Sequence, residues 1–382
     1  MHDFRIIDTF PKLEEIVKEL EKHETIAVDL EADSMYHFNE KICLIQIASK
    51  GVKAIIDPLK LKDLSILKQI FYRKDITKLF HGADYDIRSL YRDFDIDVNS
   101  LFDTQLACRY LGYKESGLIS ILKKKLNVAL NKKYQKKDWS IRPLPSEMIN
   151  YALNDVLYLI PLADILTKEL KKKGRFQWVV EECENLSNVR PATSHSDPLF
   201  MSFKGAGRLA PRSLAILEAI LEFRKNIAKK KNKPLFKVFG NDSILKIALE
   251  RPLSLKGLKK IKALSLRQIS MYGAMFVKII HRAYKIPVKE LPFYPRKKSP
   301  KLNPEISKRI QVIKLWRSVK SKDLRIDPSL LLNKSLMISL ANKNPLNLFD
   351  IEKIDGMRKW KKDEFGSEII QLFKQLESKK NG

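Results

Sequence analysis

The spacing of hydrophobic and polar positions divides this chain of 382 residues into two parts. In the first part, short apolar runs bounded by polar residues predict β-strands, at residues 25–30, 42–48, 52–56 and 78–80. Apolar residues at helical spacing predict helices, at residues 13–22, 65–72 and 146–160. The first part therefore has the mixture of strands and helices that is typical of an α/β fold.

The second part, from residue 201 onward, has helical spacing almost throughout and contains an internal repeat. A shift of 93 residues aligns Phe223 with Trp316, Arg224 with Arg317, Ala248 with Ala341, Pro252 with Pro345, Leu255 with Leu348 and Ile261 with Ile354. A repeat of this kind predicts two copies of one helical bundle, each about 75 residues long and large enough for a modest core.

Composition marks the borders between these parts. Residues 185–198 are polar and contain prolines, which is typical of a linker. Residues 289–304 are rich in prolines and basic residues, which predicts a second connector. We therefore expect three domains: an α/β domain with its linker at residues 1–200, and helical domains at residues 208–288 and 303–378.

Charge is distributed unevenly along the chain, whose formal net charge is +28 with a pI near 9.8. Residues 1–200 contain 31 Lys and Arg against 30 Asp and Glu, whereas residues 201–382 contain 42 against 15. A positive field of this strength suits phosphate backbones and predicts a polyanionic partner. The alternative is that the lysines only keep the helices soluble. The densest candidates for phosphate contact are Lys229, Lys230, Lys231, Lys233, Lys237, Lys259 and Lys260.

Five residues of the first part are candidates for one acidic site. Asp29 and Glu31 lie two apart at the end of a predicted strand, so their side chains project from the same face. Tyr151 and Asp155 lie four apart in a predicted helix, so both reach one spot. Together with Asp86, the carboxylates would repel one another unless divalent cations screen them, and oxygen ligands of this kind suit Mg2+ or Mn2+.

Each of these residues also has an ordinary explanation when it is taken alone. Asp84 and Asp86 follow Gly82 and would suit the start of a helix, where negative charge is stabilised. Tyr151 would suit a hydrophobic core, and Asp155 would suit a solvated helix face. What favours a functional site is the order of these residues together with the sequences around them.

Those surrounding sequences resemble the DEDD superfamily of 3'-to-5' exonucleases, in its tyrosine branch, and most closely the ribonuclease D family. Residues 28–31 with the strand at 43–48 resemble the first exonuclease motif, and residues 81–87, His-Gly-Ala-Asp-Tyr-Asp-Ile, resemble the second. Residues 138–144 and 151–156 resemble the third motif with the lead-in typical of ribonuclease D. Both helical copies resemble the HRDC domain, a helical module of helicases and ribonuclease D, and the first copy is the clearer match.

The resemblance implies a ribonuclease-H-like exonuclease domain, with a mixed sheet flanked by helices, followed by two all-α HRDC-like bundles. It implies a 3'-to-5' exoribonuclease that uses two divalent ions to release nucleoside 5'-monophosphates from tRNA precursors and other small structured RNAs. By the same resemblance, Asp29 would bridge both ions and Asp86 would hold the second. Glu31 and Asp155 would complete the ion that activates water, and Tyr151 would orient that water.

Aromatic and basic residues near the motifs are candidates for contact with RNA. Tyr36 and Phe38 would stack on the bases of a single-stranded 3' end, although they would equally suit a core or a hairpin. Trp139 and Arg142 would line the substrate path, although Trp139 would also anchor the loop before the third motif.

Two further residues of the second motif have structural expectations. His81 is expected to pack or to hydrogen-bond at a strand end rather than to catalyse. With Asp86 matching the ligand of the second motif, Asp84 is left as the expected helix cap.

Two other functions use the same residues. A DNA exonuclease would share the chemistry, since carboxylates do not distinguish a 2'-hydroxyl from a hydrogen. A catalytically silent protein would only bind RNA. The intact acid set favours an enzyme, and the HRDC-like copies favour RNA by resemblance.

Cysteine content and terminal sequence bear on location. Three cysteines without disulfide-like or zinc-like spacing favour a reducing compartment. Residues 1–5 lack the pattern of a signal peptide, and we expect no apolar stretch of membrane-spanning length. We therefore expect a soluble, cytoplasmic protein that binds RNA, binds no membrane and needs no obligate protein partner.

Overall fold

The computed structural model describes residues 4–61, 63–191, 197–295 and 303–378. The chain folds into two compact units. The first unit contains residues 1–32, 42–191 and 300–382, and the second contains residues 33–41 and 192–299. The last helical part of the chain thus shares a unit with the α/β part, and the three expected domain boundaries stay a prediction.

A six-stranded mixed sheet lies at the centre of the first unit, with the strand order β1-β4-β3-β2-β5-β6. Its strands are β1 (Arg5–Ile7), β2 (Thr25–Ala32), β3 (Ile42–Ser49), β4 (Val52–Ile56), β5 (Thr77–Phe80) and β6 (Leu101–Asp103). Strand β3 is antiparallel to β2 and β4, β1 is parallel to β4, and β5 is parallel to β2 and β6. The four predicted strands are confirmed. The sequence pattern misses β1 and β6, because three residues are too few to show alternation.

Helices flank the sheet on both faces. Leu44 of β3 packs in one cluster with Met148 and Ala152, whereas the alternate residues Ile45 and Ile47 point into the main core. The helices of this part are α1 (Phe10–Leu20), α2 (Lys68–Phe71), α3 (Asp84–Phe94), α4 (Thr104–Leu111), α5 (Leu118–Leu126), α6 (Ser146–Leu157), α7 (Leu159–Lys172) and α8 (Phe176–Ser187). The expected α/β fold is confirmed.

Two predicted helices differ from expectation. The segment at residues 65–72 is a 3-10 turn, Ser65–Leu67, followed by the short α2. The segment at 146–160 breaks at Tyr158, where α6 gives way to α7. Together these two helices form Ser146–Lys172, a stretch of 27 residues that is long and apolar enough to cross a membrane by length and composition alone. The expectation of no such stretch is therefore wrong, although α6 and α7 both pack against strand β2 as core helices do.

Two helical bundles complete the fold. The first bundle, in the second unit, has α9 (Pro211–Lys230), α10 (Leu235–Val238), α11 (Asn241–Glu250), α12 (Leu255–Lys260) and α13 (Leu266–Tyr284). The second bundle, in the first unit, has α14 (Pro304–Leu324), α15 (Pro328–Leu331), α16 (Lys334–Lys343), α17 (Leu348–Glu352) and α18 (Lys359–Ser378). The linker expected at 185–198 begins inside α8, and its residues 192–196 lie outside the described residues, as do residues 296–302 of the second connector.

The two bundles repeat the same contacts at a shift of 93 residues, which confirms the internal repeat. Each bundle has an arginine whose Nη1 donates to a backbone carbonyl, and a glycine on which a leucine packs so closely that a β-carbon would meet it at 2.8 Å. The equivalent pairs are Arg224–Phe239 (3.1 Å) with Arg317–Leu332 (2.7 Å), and Gly273–Leu255 with Gly366–Leu348.

The second bundle shares one hydrophobic core with the α/β part. Trp178 of α8 stacks on Trp360 of α18 with ring centroids 4.5 Å apart, and Trp360 is only 3% exposed. Beside this stack, Lys361 Nζ lies 3.2 Å from the carboxylate of Glu182. Because large aromatic side chains are buried on both sides, the sheet and the second bundle form a single packed body.

The first bundle has a hydrophobic core of its own. Residues 33–41, which follow β2 in the chain, belong to the same unit as this bundle. Phe38 packs against the bundle core, and its N–H donates to Oδ1 of Asn232 at 3.1 Å. Lys237 Nζ lies 4.0 Å from the centre of the Tyr36 ring, which is a cation–π distance.

Candidate active site

Asp29 and Glu31 lie near the end of β2, a central strand of the sheet. Because side chains alternate along a strand, both carboxylates project from one face, which is the face that α6 covers. In the antiparallel pairing with β3, Asp29 lies opposite Gln46 and Glu31 lies opposite Leu44. The register shifts immediately after Glu31, and irregularities of this kind are common beside active sites.

Helix α6 brings a tyrosine and a third acid to the same place. Tyr151 and Asp155 lie one turn apart on this helix, and the charge of Asp155 acts on the phenol of Tyr151. Asp29, Glu31 and Asp155 each offer one carboxylate oxygen, and these three oxygens lie within 4.8 Å of one another. Acids from distant parts of the sequence thus converge in one small volume.

Asp86 lies in the first turn of α3 and is 8% exposed. It lies outside the group of three, but its charge and those of Asp29 and Glu31 act on one another. The expectation that Asp84 caps this helix is wrong, because Asp84 is already its first helical residue. The Asp84 side chain instead accepts from Arg88, one turn further on, at 3.0 Å.

A buried carboxylate outside the motifs holds the turn that precedes Asp86. Asp103, at the end of β6, accepts the N–H groups of Gly82 and Ala83, each at 2.9 Å. Gly82 has φ +85°, a conformation that a side chain rarely tolerates. Asp103 also accepts the N–H of Gln105 and so caps α4. Sequence reasoning missed Asp103, since a single acid between a short strand and a helix carries no motif.

Burial raises the pKa of all four carboxyl groups. It raises the pKa of Asp29 to about 7 and that of Asp155 to about 8. The pKa values of Glu31 and Asp86 also lie well above their usual range, first because of burial and then because neighbouring carboxylates repel their charge. A cluster of this kind is costly when fully ionised and becomes favourable when a cation compensates its charge.

Aromatic neighbours hold Tyr151 in place. Its ring centroid lies 6.1 Å from that of Trp139 and 5.9 Å from that of Tyr134. Burial, followed by the charge of Asp155, raises the pKa of Tyr151 above its usual range. The phenol therefore stays protonated at neutral pH and can donate a hydrogen bond.

The side chains around the cluster fit hard divalent cations. Their donors are carboxylate and phenol oxygens, and carboxylates in particular are ligands of Mg2+ and Mn2+. Gln46, opposite Asp29, is fully buried, and neither Oε1 nor Nε2 has a hydrogen-bond partner among the described residues. An unpaired buried amide costs about 1–3 kcal/mol. Water held by an ion beside Asp29 would satisfy it.

Asp29, Glu31 and Asp155 line a cleft of about 310 Å³ together with Tyr151. The lining includes Gln105, Lys132 and Gln135, which sequence reasoning missed. Lys132 and Gln135 lie in the irregular segment between α5 and α6, where no periodicity or motif marks them. His81 also lines the cleft, and its Nδ1 lies 2.9 Å from Thr104 Oγ1, in the strand-end hydrogen-bonding role that was expected.

Two residues expected on the substrate path are part of the scaffold instead. Trp139 is 1% exposed and packs against Tyr151, so the expectation that it contacts substrate is wrong. Arg142 donates from Nε and Nη2 to the two carboxylate oxygens of Asp57, each at 2.7 Å, and from Nη2 to the Cys43 carbonyl at 2.8 Å. Because these donors are occupied within the fold, Arg142 anchors the segment before α6, and the expectation that it lines the substrate path is also wrong.

The remaining residues expected to contact RNA lie in the second unit. Phe38 packs on the core of the first bundle, and half-buried Tyr36 lies under Lys237. Contact of these two aromatic residues with RNA stays a prediction. The basic side chains on this bundle are exposed: Lys229, Lys230, Lys231, Lys233, Lys237, Lys259 and Lys260. Their contact with RNA stays a prediction.

A mixed sheet flanked by helices, with converging carboxylates and a neighbouring tyrosine, has the features of a metal-dependent nuclease. Comparison with known proteins agrees with this class. Residues 4–171 match a family model described as 3'-5' exonuclease, and residues 213–280 and 307–373 match the HRDC domain.

Similarity extends beyond these two models. The chain is 27% identical to Ribonuclease D of Bartonella henselae, over 97% of this chain and 90% of that protein. It is 30% identical to the catalytic core of RRP6 from Trypanosoma brucei, with a TM-score of 0.64 over 74% of this chain and 80% of that one. The fold also matches Escherichia coli RNase D, with 24% identity and a TM-score of 0.72 over 98% and 99% of the two chains. The chain therefore belongs to the ribonuclease D family of 3'-5' exonucleases with HRDC domains, and it is a 3'-5' exoribonuclease.

Proposed function

We propose that this enzyme shortens RNA from its 3' end with two divalent cations, Mg2+ or Mn2+, held by Asp29, Glu31, Asp86 and Asp155. The observation that carries the proposal is the convergence of three carboxylate oxygens within 4.8 Å on the wall of a cleft. The raised pKa values of these acids give the physical reason, because cations would relieve the repulsion that burial makes costly.

The bound ions would lower the pKa of water and stabilise the leaving 3'-oxygen. The side chains would position the ions and the attacking water. Asp29, Glu31 and Asp155 would hold an ion between the strand and the helix, and Asp86 would hold the second ion from the first turn of α3. Tyr151 keeps its proton and orients the attacking water through its hydroxyl. The product would be a nucleoside 5'-monophosphate.

The proposed substrates are tRNA precursors and other small structured RNAs with a single-stranded 3' end. A splayed terminal nucleotide would reach carboxylates on the wall of a cleft of about 310 Å³ more readily than a base-paired duplex end. Lys132 lies in the cleft lining, where its ammonium group would neutralise part of the charge of the RNA phosphates. The solved Escherichia coli RNase D is described as an exoribonuclease involved in structured RNA processing, which supports the same substrate class.

We further propose that the exposed lysines of the first bundle hold upstream phosphates without reading sequence. We assign the enzyme to the cytoplasm, with RNA as its partner and no obligate protein partner. The three cysteines, all buried and free, support a reducing compartment.

The test is digestion of a 5'-labelled single-stranded RNA, and of DNA of the same sequence, by native protein and three variants. Asp29→Asn removes a proposed ligand, Tyr151→Phe removes only a hydroxyl, and Asp164→Asn changes an exposed acid of α7 as the matched control. We expect stepwise shortening of RNA with Mg2+ or Mn2+ by native protein and Asp164→Asn. Asp29→Asn should be inactive, and Tyr151→Phe should lose roughly 100-fold or more.

Activity that survives removal of divalent ions, or internal cleavage, would contradict the proposal. Equal shortening of DNA and RNA would favour the DNA exonuclease alternative.

A further inference from the structure

A second cleft, of about 620 Å³, lies in the first unit between the end of α4 and the junction of α14 with α15. Arg109 and Lys114 line it from the exonuclease side, and Lys322 and Arg325 line it from the second bundle. All four side chains are exposed, and none of them forms a salt bridge with another described residue. The cleft therefore has two basic walls whose charges are available to a ligand.

The single acid of this lining is already engaged. Asp327 accepts the N–H of Ser329 at 2.7 Å and so caps α15. Among the described lining residues, four cations thus face one carboxylate. A cleft lined in this way concentrates positive potential and favours an extended polyanion over a neutral or cationic ligand.

The two walls are fixed to each other at the cleft floor. A β-carbon on Gly112 would overlap the carbonyl oxygen of Arg325, so the backbones touch where α4 and α14 end. Buried Arg175 joins these helix ends, since it donates to the Tyr110 carbonyl at 2.8 Å and to the Leu324 carbonyl at 2.9 Å. The cleft is therefore preformed, and Arg175 offsets the negative ends of both helices, which would otherwise repel an anion.

The basic cleft and the catalytic cleft are lined by consecutive residues of one loop. Ser116 lines the basic cleft, and the next residues, Gly117 and Leu118, line the catalytic cleft. One short loop separates the two cavities. A strand whose 3' end lies at Asp29 would therefore reach the basic cleft with nucleotides a short distance upstream.

We propose that the cleft between Arg109, Lys114, Lys322 and Arg325 binds the phosphodiester backbone of the RNA strand immediately upstream of the scissile bond. The inference rests on the proposed function, because it takes the direction of the strand from it. The exonuclease part and the second bundle together form this site. It adds affinity for longer substrates and has no base preference, because only phosphates are contacted.

The test uses the full chain with the triple variant Arg109→Gln, Lys114→Gln and Lys322→Gln. Arg325 is left in place because its backbone has φ 54° and its carbonyl meets Gly112. The control variant removes the same charge from exposed lysines elsewhere in the unit, with Lys18→Gln, Lys22→Gln and Lys74→Gln. Thermal melting confirms that both variants are folded.

The measurement is kcat/KM as a function of salt, on single-stranded RNAs of roughly 24 and roughly four nucleotides. The triple variant should lose about tenfold on the long RNA at low salt and nothing on the short one. Its slope of log kcat/KM against log salt should fall by about two, since each lost phosphate contact contributes about 0.7. The control should match native protein.

An unchanged salt slope in the triple variant, or an equal loss on the short RNA, would overturn the cleft proposal. Native protein that degrades neither RNA would instead overturn the proposed function, so the two failures are distinguishable.

Discussion

The two helical bundles share an internal scaffold and differ in what surrounds it. Arg224 and Arg317 bind equivalent carbonyls, so the cores match. At another equivalent position, the first bundle has the exposed Arg267 and the second has the buried Trp360, stacked on Trp178. A repeat can therefore keep its fold while one copy turns a solvent face into a packed interface.

The two bundles also differ in net charge. Residues 208–288 contain 19 Lys and Arg against 4 Asp and Glu, whereas residues 303–378 contain 15 against 10. The first bundle thus carries most of the excess positive charge. Part of the surface of the second bundle instead contacts the exonuclease part. The difference indicates that the first bundle supplies a broad basic surface, while the second stabilises the catalytic unit and places a few cations beside it.

The largest expected effect concerns how much Trp360 and the equivalent Arg267 each contribute to the free energy of unfolding. Trp360→Ala should reduce the free energy of unfolding by about 3–5 kcal/mol, because it empties a large buried volume against Trp178. Arg267→Ala, at the equivalent exposed position, should change it by about 0.5 kcal/mol or less. Urea denaturation measures both. Similar values for the two variants would contradict the comparison.

A smaller effect tests the close contact between Gly112 of the exonuclease part and Arg325 of the second bundle. Gly112→Ala should destabilise by about 2–3 kcal/mol, since it adds a clash with the Arg325 carbonyl to the cost of a positive φ. Gly174→Ala is the matched control, because Gly174 also has a positive φ but open space around it, and should cost about 1 kcal/mol. Thermal and urea unfolding give the difference, and equal losses would exclude the close approach as the cause.

The two bundles should also differ in RNA binding. Replacing Lys229, Lys230 and Lys233 by Gln should weaken binding of a long RNA about tenfold and flatten its salt dependence. Replacing the exposed Lys314, Lys334 and Lys343 of the second bundle should weaken it about threefold or less. Fluorescence anisotropy at several salt concentrations measures both, and a larger loss in the second-bundle variant would reverse the assignment.

The last prediction concerns pH in the unit that contains the second bundle. Because the folded pKa values of Asp29 and Asp155 are raised to about 7 and 8, the folded state binds more protons than the unfolded state above pH 4. Without divalent ions, stability should therefore fall as pH rises from about 4 to 8, and Asp155→Asn should reduce this fall. Melting temperatures across this range would show it, and a rise in the native protein would contradict the sign.

Local sequence predicts much of the fold and the acid set, because both depend on spacing. Asp29 with Glu31 follows the period of a strand, and Tyr151 with Asp155 follows the period of a helix. Residues whose role depends on tertiary contacts were not predictable in this way. In the sequence, Arg142 has the features of a substrate ligand. In the structure, its guanidinium group donates to Asp57, which lies in a distant part of the chain.

The same limit applies to the surroundings of the site. Lys132 reaches the catalytic cleft from an irregular segment, and Asp103 holds the turn before Asp86 through backbone N–H groups that no side-chain pattern reveals. The repeat aligns Trp360 with Arg267, so it does not predict that Trp360 of the second bundle packs on Trp178.

The most direct test of the central claim is a calorimetric titration of Mn2+ into the protein at about pH 8, where the carboxylates ionise most readily. Native protein and Asp164→Asn should bind about two ions per chain. Asp29→Asn and Asp155→Asn should lose at least about tenfold in affinity or one site. Equal binding by all four proteins would contradict a metal centre built on Asp29, Glu31 and Asp155.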